Sequence, residues 1–156
     1  MSEGEVVKEG ELSKDFTLKD HNDEEFTLSD FKDKKVLLSF HPLAGTSTCA
    51  KQMKSLEENK DKFEELNTVP VGISVDSVPA KKLWAEDIGI KETRLLSDFW
   101  PHGKVIKSYG LFREEDGFSE RANVLIDEDQ RVIFSKVYPM GEVPDLKEIF
   151  SKIKKR

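Results

Sequence analysis

Cysteine is almost absent from this chain: Cys49 is the only one in 156 residues. One thiol excludes an intramolecular disulfide and any zinc site built on several cysteines of one chain. It fits the reducing cytoplasm, where disulfides are rare. Long apolar runs are also missing. None approaches the ~20 residues that a membrane helix needs, so no membrane partner is expected. Cations are fewer than anions, 25 Lys and Arg against 31 Asp and Glu, which argues against nucleic acid as a partner. Met1–Glu5 lacks the basic start and apolar stretch of a secretory leader, so none is expected. Histidine is scarce, and His21 and His102 show no ligand spacing. They are expected at the surface, with no metal and no cofactor. There is no repeat, linker or low-complexity tract, so residues 1–156 are expected to form a single domain, with 1–11 a loose arm.

The acidity is local. The first 34 residues hold 11 acidic and 5 basic side chains, and the rest of the chain is balanced. Apolar residues fall in short, periodic runs. Phe16-Thr17-Leu18 and Phe26-Thr27-Leu28 flank His21-Asn22-Asp23 as a small hairpin. The run 35–40 (KVLLSF) reads as a strand buried on both faces. Residues 49–66 carry Cys49, Met53, Leu56, Phe63 and Leu66 at helical spacing, which predicts one helix. A strand over Val69–Val75 follows, then a helix opened by Pro79, a short strand at Leu95-Leu96 and a short helix around Val105 and Tyr109. Val124–Ile126 and Arg131–Phe134 form a second hairpin around a polar turn. Val143, Leu146, Ile149, Phe150 and Ile153 stripe a closing helix. This order predicts an α/β fold with a mixed sheet flanked by helices and an N-terminal β-hairpin.

Cys49 stands where a buried strand gives way to a helix, after Pro42-Leu43-Ala44-Gly45-Thr46-Ser47-Thr48. First-turn helix amides lack internal partners and carry positive partial charge, so they favour a thiolate placed there. Pro42 ends the strand and can wall a pocket, and the Thr46 hydroxyl lies three residues before the sulfur. Pro-x-x-x-Thr-x-x-Cys after a buried strand resembles the active-site motif of the peroxiredoxins, thiol peroxidases on a thioredoxin-like fold. That family also uses an arginine from a later strand, and 121–127 (RANVLID) is similar to that segment. Trp84-Ala85, Leu96-Ser97-Asp98 and Tyr109-Gly110 follow the family's order, so the likeness spans roughly residues 12–154. Gly45 and His41 depart from it, since relatives usually carry aromatic residues at both positions.

The resemblance implies a one-cysteine peroxiredoxin, akin to the alkyl hydroperoxide reductase E branch. It implies Cys49, Thr46 and Arg121 as catalytic residues, and Pro42 and Thr48 as walls of the peroxide pocket. The substrate is a peroxide, and Cys49 becomes a sulfenic acid. With no second cysteine, an external thiol must reduce it: thioredoxin, a glutaredoxin-like protein or a low-molecular-weight thiol. A homodimer or larger homo-oligomer is also implied. A thiolate alone does not account for fast chemistry. Lowering a thiol from pKa ~8.5 to ~6 raises its ionised fraction at neutral pH roughly 30-fold. It also costs roughly 10- to 18-fold in nucleophilicity, if the slope of ~0.4–0.5 for disulfide exchange applies. The remaining acceleration must act on the breaking O–O bond, through donors aimed at the departing oxygen. The competing expectation is a redox sensor or holdase in which oxidised Cys49 controls association. His41 reads either as a tuner of the thiolate or as a histidine satisfied by a backbone carbonyl, the latter favoured. Gln52 reads equally well as a solvated residue or as one reaching back to the first helical turn.

Overall fold

A computed structural model describes residues 5–154. Every residue of the strand β3 (Lys35–Phe40) is buried, because the sheet is covered on both faces. Side chains alternate across it. Val36, Leu38 and Phe40 enter one core with Phe26, Val71, Ile106 and Tyr109. Leu37 enters the other, with Cys49, Met53, Phe63, Trp84 and Ile149. By the same period of two, Ser39 and His41 lie on the Leu37 face, under the helices.

Before β3 come β1 (Thr17–Asp20), β2 (Glu25–Thr27) and a 3-10 turn over Leu28–Phe31. After it come α1 (Ser47–Glu58), α2 (Lys60–Glu65), β4 (Thr68–Ser74), α3 (Val78–Ile88), β5 (Arg94–Ser97) and α4 (Lys104–Ser108). The chain continues through β6 (Phe112–Arg113), β7 (Phe118–Ser119), β8 (Arg121–Ile126), β9 (Val132–Tyr138) and α5 (Leu146–Lys154). The seven-stranded sheet has the order β2-β1-β5-β4-β3-β8-β9, and β6 and β7 form a separate ribbon. β3 runs parallel to β4, and β4 to β5, while β3 and β8 are antiparallel. The register Ser39↔Asn123 and Phe40↔Ala122 brings the start of β8 beside the end of β3. Leu125 joins the helix-side core, so Asn123 and Arg121 face the same side.

Several expectations change. The helix predicted over 49–66 is two helices, broken at Asn59, whose backbone leaves the helical region and whose side-chain amide donates to the Ser55 carbonyl. Val143 lies outside α5 and is partly exposed, because Pro144 follows it. The arm expected to be loose is tied down where it is described. Val7 is buried and its amide donates to Tyr109 O, while Gly10 N and Ser13 N donate to Val132 O and Gln130 O. The rest of that arm, residues 1–4, lies outside the described residues. His21 is buried rather than at the surface, its Nδ1 accepting from Leu95 N at 3.2 Å, so it joins the β1–β2 turn to β5. His102 is exposed, as expected. The β6–β7 ribbon had no sequence signal strong enough to predict it.

Candidate active site

β3 ends at Phe40, buried Pro42 follows, and the chain turns through Gly45 into α1. Thr46 is the N-cap of α1: its backbone is extended and its Oγ1 accepts from Cys49 N at 3.4 Å. The same hydroxyl donates to Leu43 O at 3.4 Å, so it braces the turn at both ends. Cys49 therefore occupies the first turn of a twelve-residue helix, as the sequence implied. Thr48, in the same turn, is half-buried.

Gly45 has φ +93°, a conformation that disfavours side chains, although nothing lies within 4 Å of the site of an added Cβ. Backbone strain alone therefore sets the effect of Gly45→Ala. We expect a loss of about 1–2 kcal/mol of stability, read from denaturant unfolding.

Arg121 reaches Cys49 from β8. Its Nη1 lies 3.3 Å from Sγ and 2.7 Å from Gln52 Oε1, and its Nε donates to Met140 O at 3.0 Å. Three acceptors from three parts of the chain thus hold one guanidinium against the sulfur. It favours the sulfur anion by Coulomb attraction and can donate to a charge growing nearby. Gln52 extends the network inward. Its Nε2 donates to Ser39 Oγ at 2.8 Å and to Phe40 O at 3.1 Å, and Ser39 Oγ donates to Asn123 Oδ1 at 2.8 Å. Gln52 is buried on the same helical face as Cys49, Met53 and Leu56. That face was the signal for it: a polar residue three positions after Cys49 lies within the apolar stripe.

His41 is fully buried. Its Nδ1 lies 3.4 Å from Ser39 O, the expected backbone carbonyl, and its ring packs on Trp84 with centroids 5.6 Å apart. Its other nitrogen meets Lys81 Nζ at 3.1 Å, a partner not anticipated from the sequence. Burial and the Lys81 and Arg121 charges hold the imidazole well below its ordinary pKa, so it is neutral near pH 7.

The sulfur itself has no exposed surface. In the turn that leads to it, Gly45, Thr46 and Ser47 are exposed and Leu43, Ala44 and Thr48 half-buried. Arg121 and the first helical turn make the surroundings polar on one side. Met53 and Leu56, in the same core, make them apolar on the other. The structure thus brings Thr46 and Arg121 to Cys49 and places Gln52 in the same network, with Thr48 in the same helical turn and Pro42 buried before it.

Residues 10–135 match the AhpC/TSA family. The chain belongs to that family. It is 38% identical over 137 residues to alkyl hydroperoxide reductase E of Mycobacterium tuberculosis, covering 87% of this chain and 89% of that one. It is 31% identical over 133 residues to a thiol peroxidase of Streptococcus agalactiae, covering 85% and 79%. A reduced 2-Cys peroxiredoxin of Plasmodium vivax superposes with a TM-score of 0.87 at 28% identity, over 95% of this chain and 81% of that one. The peroxidoxin BcpB of M. tuberculosis does so with 0.83 at 26%, over 96% and 97%. The fold is thus the thioredoxin-like fold of the peroxiredoxins, and the enzyme is a thiol-dependent peroxidase of the one-cysteine type. Among the described residues, no helix is long and apolar enough to cross a membrane.

Proposed function

We propose that this peroxiredoxin reduces hydrogen peroxide or organic hydroperoxides through Cys49, in antioxidant defence in the cytoplasm. The observation that carries the reading is the guanidinium of Arg121 at 3.3 Å from the sulfur, itself fixed by Gln52 and Met140. In the reaction Cys49 Sγ, as thiolate, attacks the terminal peroxide oxygen. An S–O bond forms, the O–O bond breaks, and the departing oxygen takes a proton to leave as alcohol or water. Charge grows on that oxygen as the bond stretches. The donors that receive it are Arg121, the Thr48 amide in the first turn of α1, and Thr46 once its hydroxyl turns from Leu43 O, with Pro42 walling the pocket. Cys49 is left as a sulfenic acid.

The chain has no second cysteine to resolve that product. An external thiol completes the cycle: thioredoxin, a glutaredoxin-like protein or a low-molecular-weight thiol. Thiol attack on the sulfenic acid releases water and leaves a mixed disulfide, which a second thiol reduces. The protein acts as a homodimer or larger homo-oligomer. The exposed Phe99 (53%) and Trp100 (81%) are apolar surface of the kind a second copy covers. A turnover assay with three peroxides and several reductants tests the reading. Sustained peroxide consumption that depends on both an added thiol system and Cys49 supports it. Consumption no faster with the protein than without it rejects it.

One observation favours a second reading, a redox sensor or holdase: the sulfur is sealed from solvent. A sensor of that kind reacts once and slowly, and then changes its association state. Sedimentation of the reduced and peroxide-treated protein separates the two readings.

A further inference from the structure

α3 carries a lysine in the protein interior. Lys81 has no exposed surface, whereas the neighbouring Lys82 is exposed. The helical register decides which of the two is buried, since Lys81 precedes the buried Trp84 by three positions. Nζ sits 3.1 Å from His41 Nε2 and 2.5 Å from Ser74 Oγ. Ser74 Oγ donates to Asp76 Oδ2 at 2.6 Å, and the same carboxylate oxygen accepts from Ala44 N at 2.8 Å. A continuous run of hydrogen bonds therefore links the amine to the backbone of the turn that carries Cys49. The donor directions are consistent when His41 is neutral with its proton on Nδ1, facing Ser39 O. Nε2 then accepts from the ammonium.

Burying an amine this completely disfavours its charged form and costs stability. Its charged form persists only by virtue of nearby negative groups. Those facing it are Asp76 beyond β4 and Cys49 on α1. The other titratable groups around it are His41 at the end of β3, itself acted on by Arg121 of β8, and His21 on the β1–β2 turn.

We infer that Lys81 is a positioning residue of the peroxidatic site: its buried ammonium ties the cysteine turn to α3 and supplies a second countercharge to the Cys49 thiolate. Arg121 meets the sulfur directly, and Lys81 acts through His41, Ser74 and Asp76 and through its field. The inference rests on the peroxidase reading for its purpose, but not for its detection. If thiolate and ammonium stabilise one another, each must shift the other's titration, by reciprocity. Burial brings Lys81 down to about 7, and Cys49 and Asp76 oppose that fall. Removing the thiolate must therefore lower the Lys81 midpoint further.

The test is an NMR titration of lysines labelled at Cε and Nζ in the reduced protein and in Cys49→Ser. Lys81 is identified as the lysine that titrates near neutrality, far below the ordinary lysine range. We expect its midpoint to fall by about half a pH unit or more in Cys49→Ser. An unchanged midpoint overturns the inference. A second readout is the pH–rate profile of Lys81→Met with hydrogen peroxide. Loss of the countercharge predicts a deficit of about tenfold near pH 6 that closes as the pH rises toward 9, where Lys81 is neutral in the parent as well. A deficit equal at all pH values points to packing alone and also overturns it. If Lys81→Met does not fold, the titration in the parent and Cys49→Ser decides. An active enzyme with an unmoved Lys81 midpoint rejects only this inference. An inactive protein with a moved midpoint rejects only the peroxidase reading.

Discussion

Arg121→Met lowers the second-order rate of peroxide reduction by on the order of 10²–10³-fold, measured by stopped flow on the reduced protein. That is the usual loss when one preorganised donor to a developing oxyanion is removed. Methionine approximates the length and apolar volume of the arginine stem and removes its charge and its hydrogen bonds. Gln52 Oε1 and Met140 O lose their donor as well, so stability falls by about 1–3 kcal/mol. The rate is therefore read under conditions where the variant remains folded. Arg121→Lys separates charge from geometry. An ammonium is a point charge on a flexible stem, while the guanidinium spans Sγ, Gln52 and Met140 in one plane. We expect Arg121→Lys to recover only a small part of the loss. A lysine variant as fast as the parent would show that only the positive charge matters.

Cys49→Ser abolishes peroxide reduction, to the background rate in buffer. A hydroxyl at this position stays neutral at any pH where the protein is folded, so it offers no anion to the peroxide oxygen. Its oxygen also cannot expand to the oxidised product. The substitution is close in size, and the buried hydroxyl can accept from Arg121 Nη1 in place of the sulfur, so the fold persists. Circular dichroism and thermal unfolding of the variant close to the parent, together with complete loss of activity, form the expected pair of results. Residual peroxide consumption above background would move the chemistry away from Cys49.

Much of the site was legible in the sequence because its parts lie at sharp local transitions. A buried strand that ends in proline, a turn, a capping threonine and a helix fix the place of Cys49 within a few residues. The later arginine was legible only through resemblance to a family, since nothing in the 72-residue gap reveals that β8 lies beside β3. Gln52 and Lys81 show what pattern reading undervalues. Gln52 reads equally well as solvated or as reaching back to the first helical turn, and Lys81 gives no signal of its own. Each nevertheless falls on the buried face of its helix by i,i+3 spacing from Cys49 and Trp84 respectively. The partners that make their burial tolerable, Ser39 and Arg121 for one, His41 and Ser74 for the other, come from distant strands. The break at Asn59 was hidden for the opposite reason. An apolar stripe continues in period across it through Phe63, so periodicity alone joined two helices into one.

The most direct measurement mixes the reduced protein with one equivalent of hydrogen peroxide and follows intact mass and free thiol with time. The account predicts rapid gain of the mass of one oxygen atom, located on Cys49, at a rate orders of magnitude above that of free cysteine. Oxidation at the pace of free cysteine, or oxygen found on methionine with Cys49 still reduced, would contradict it.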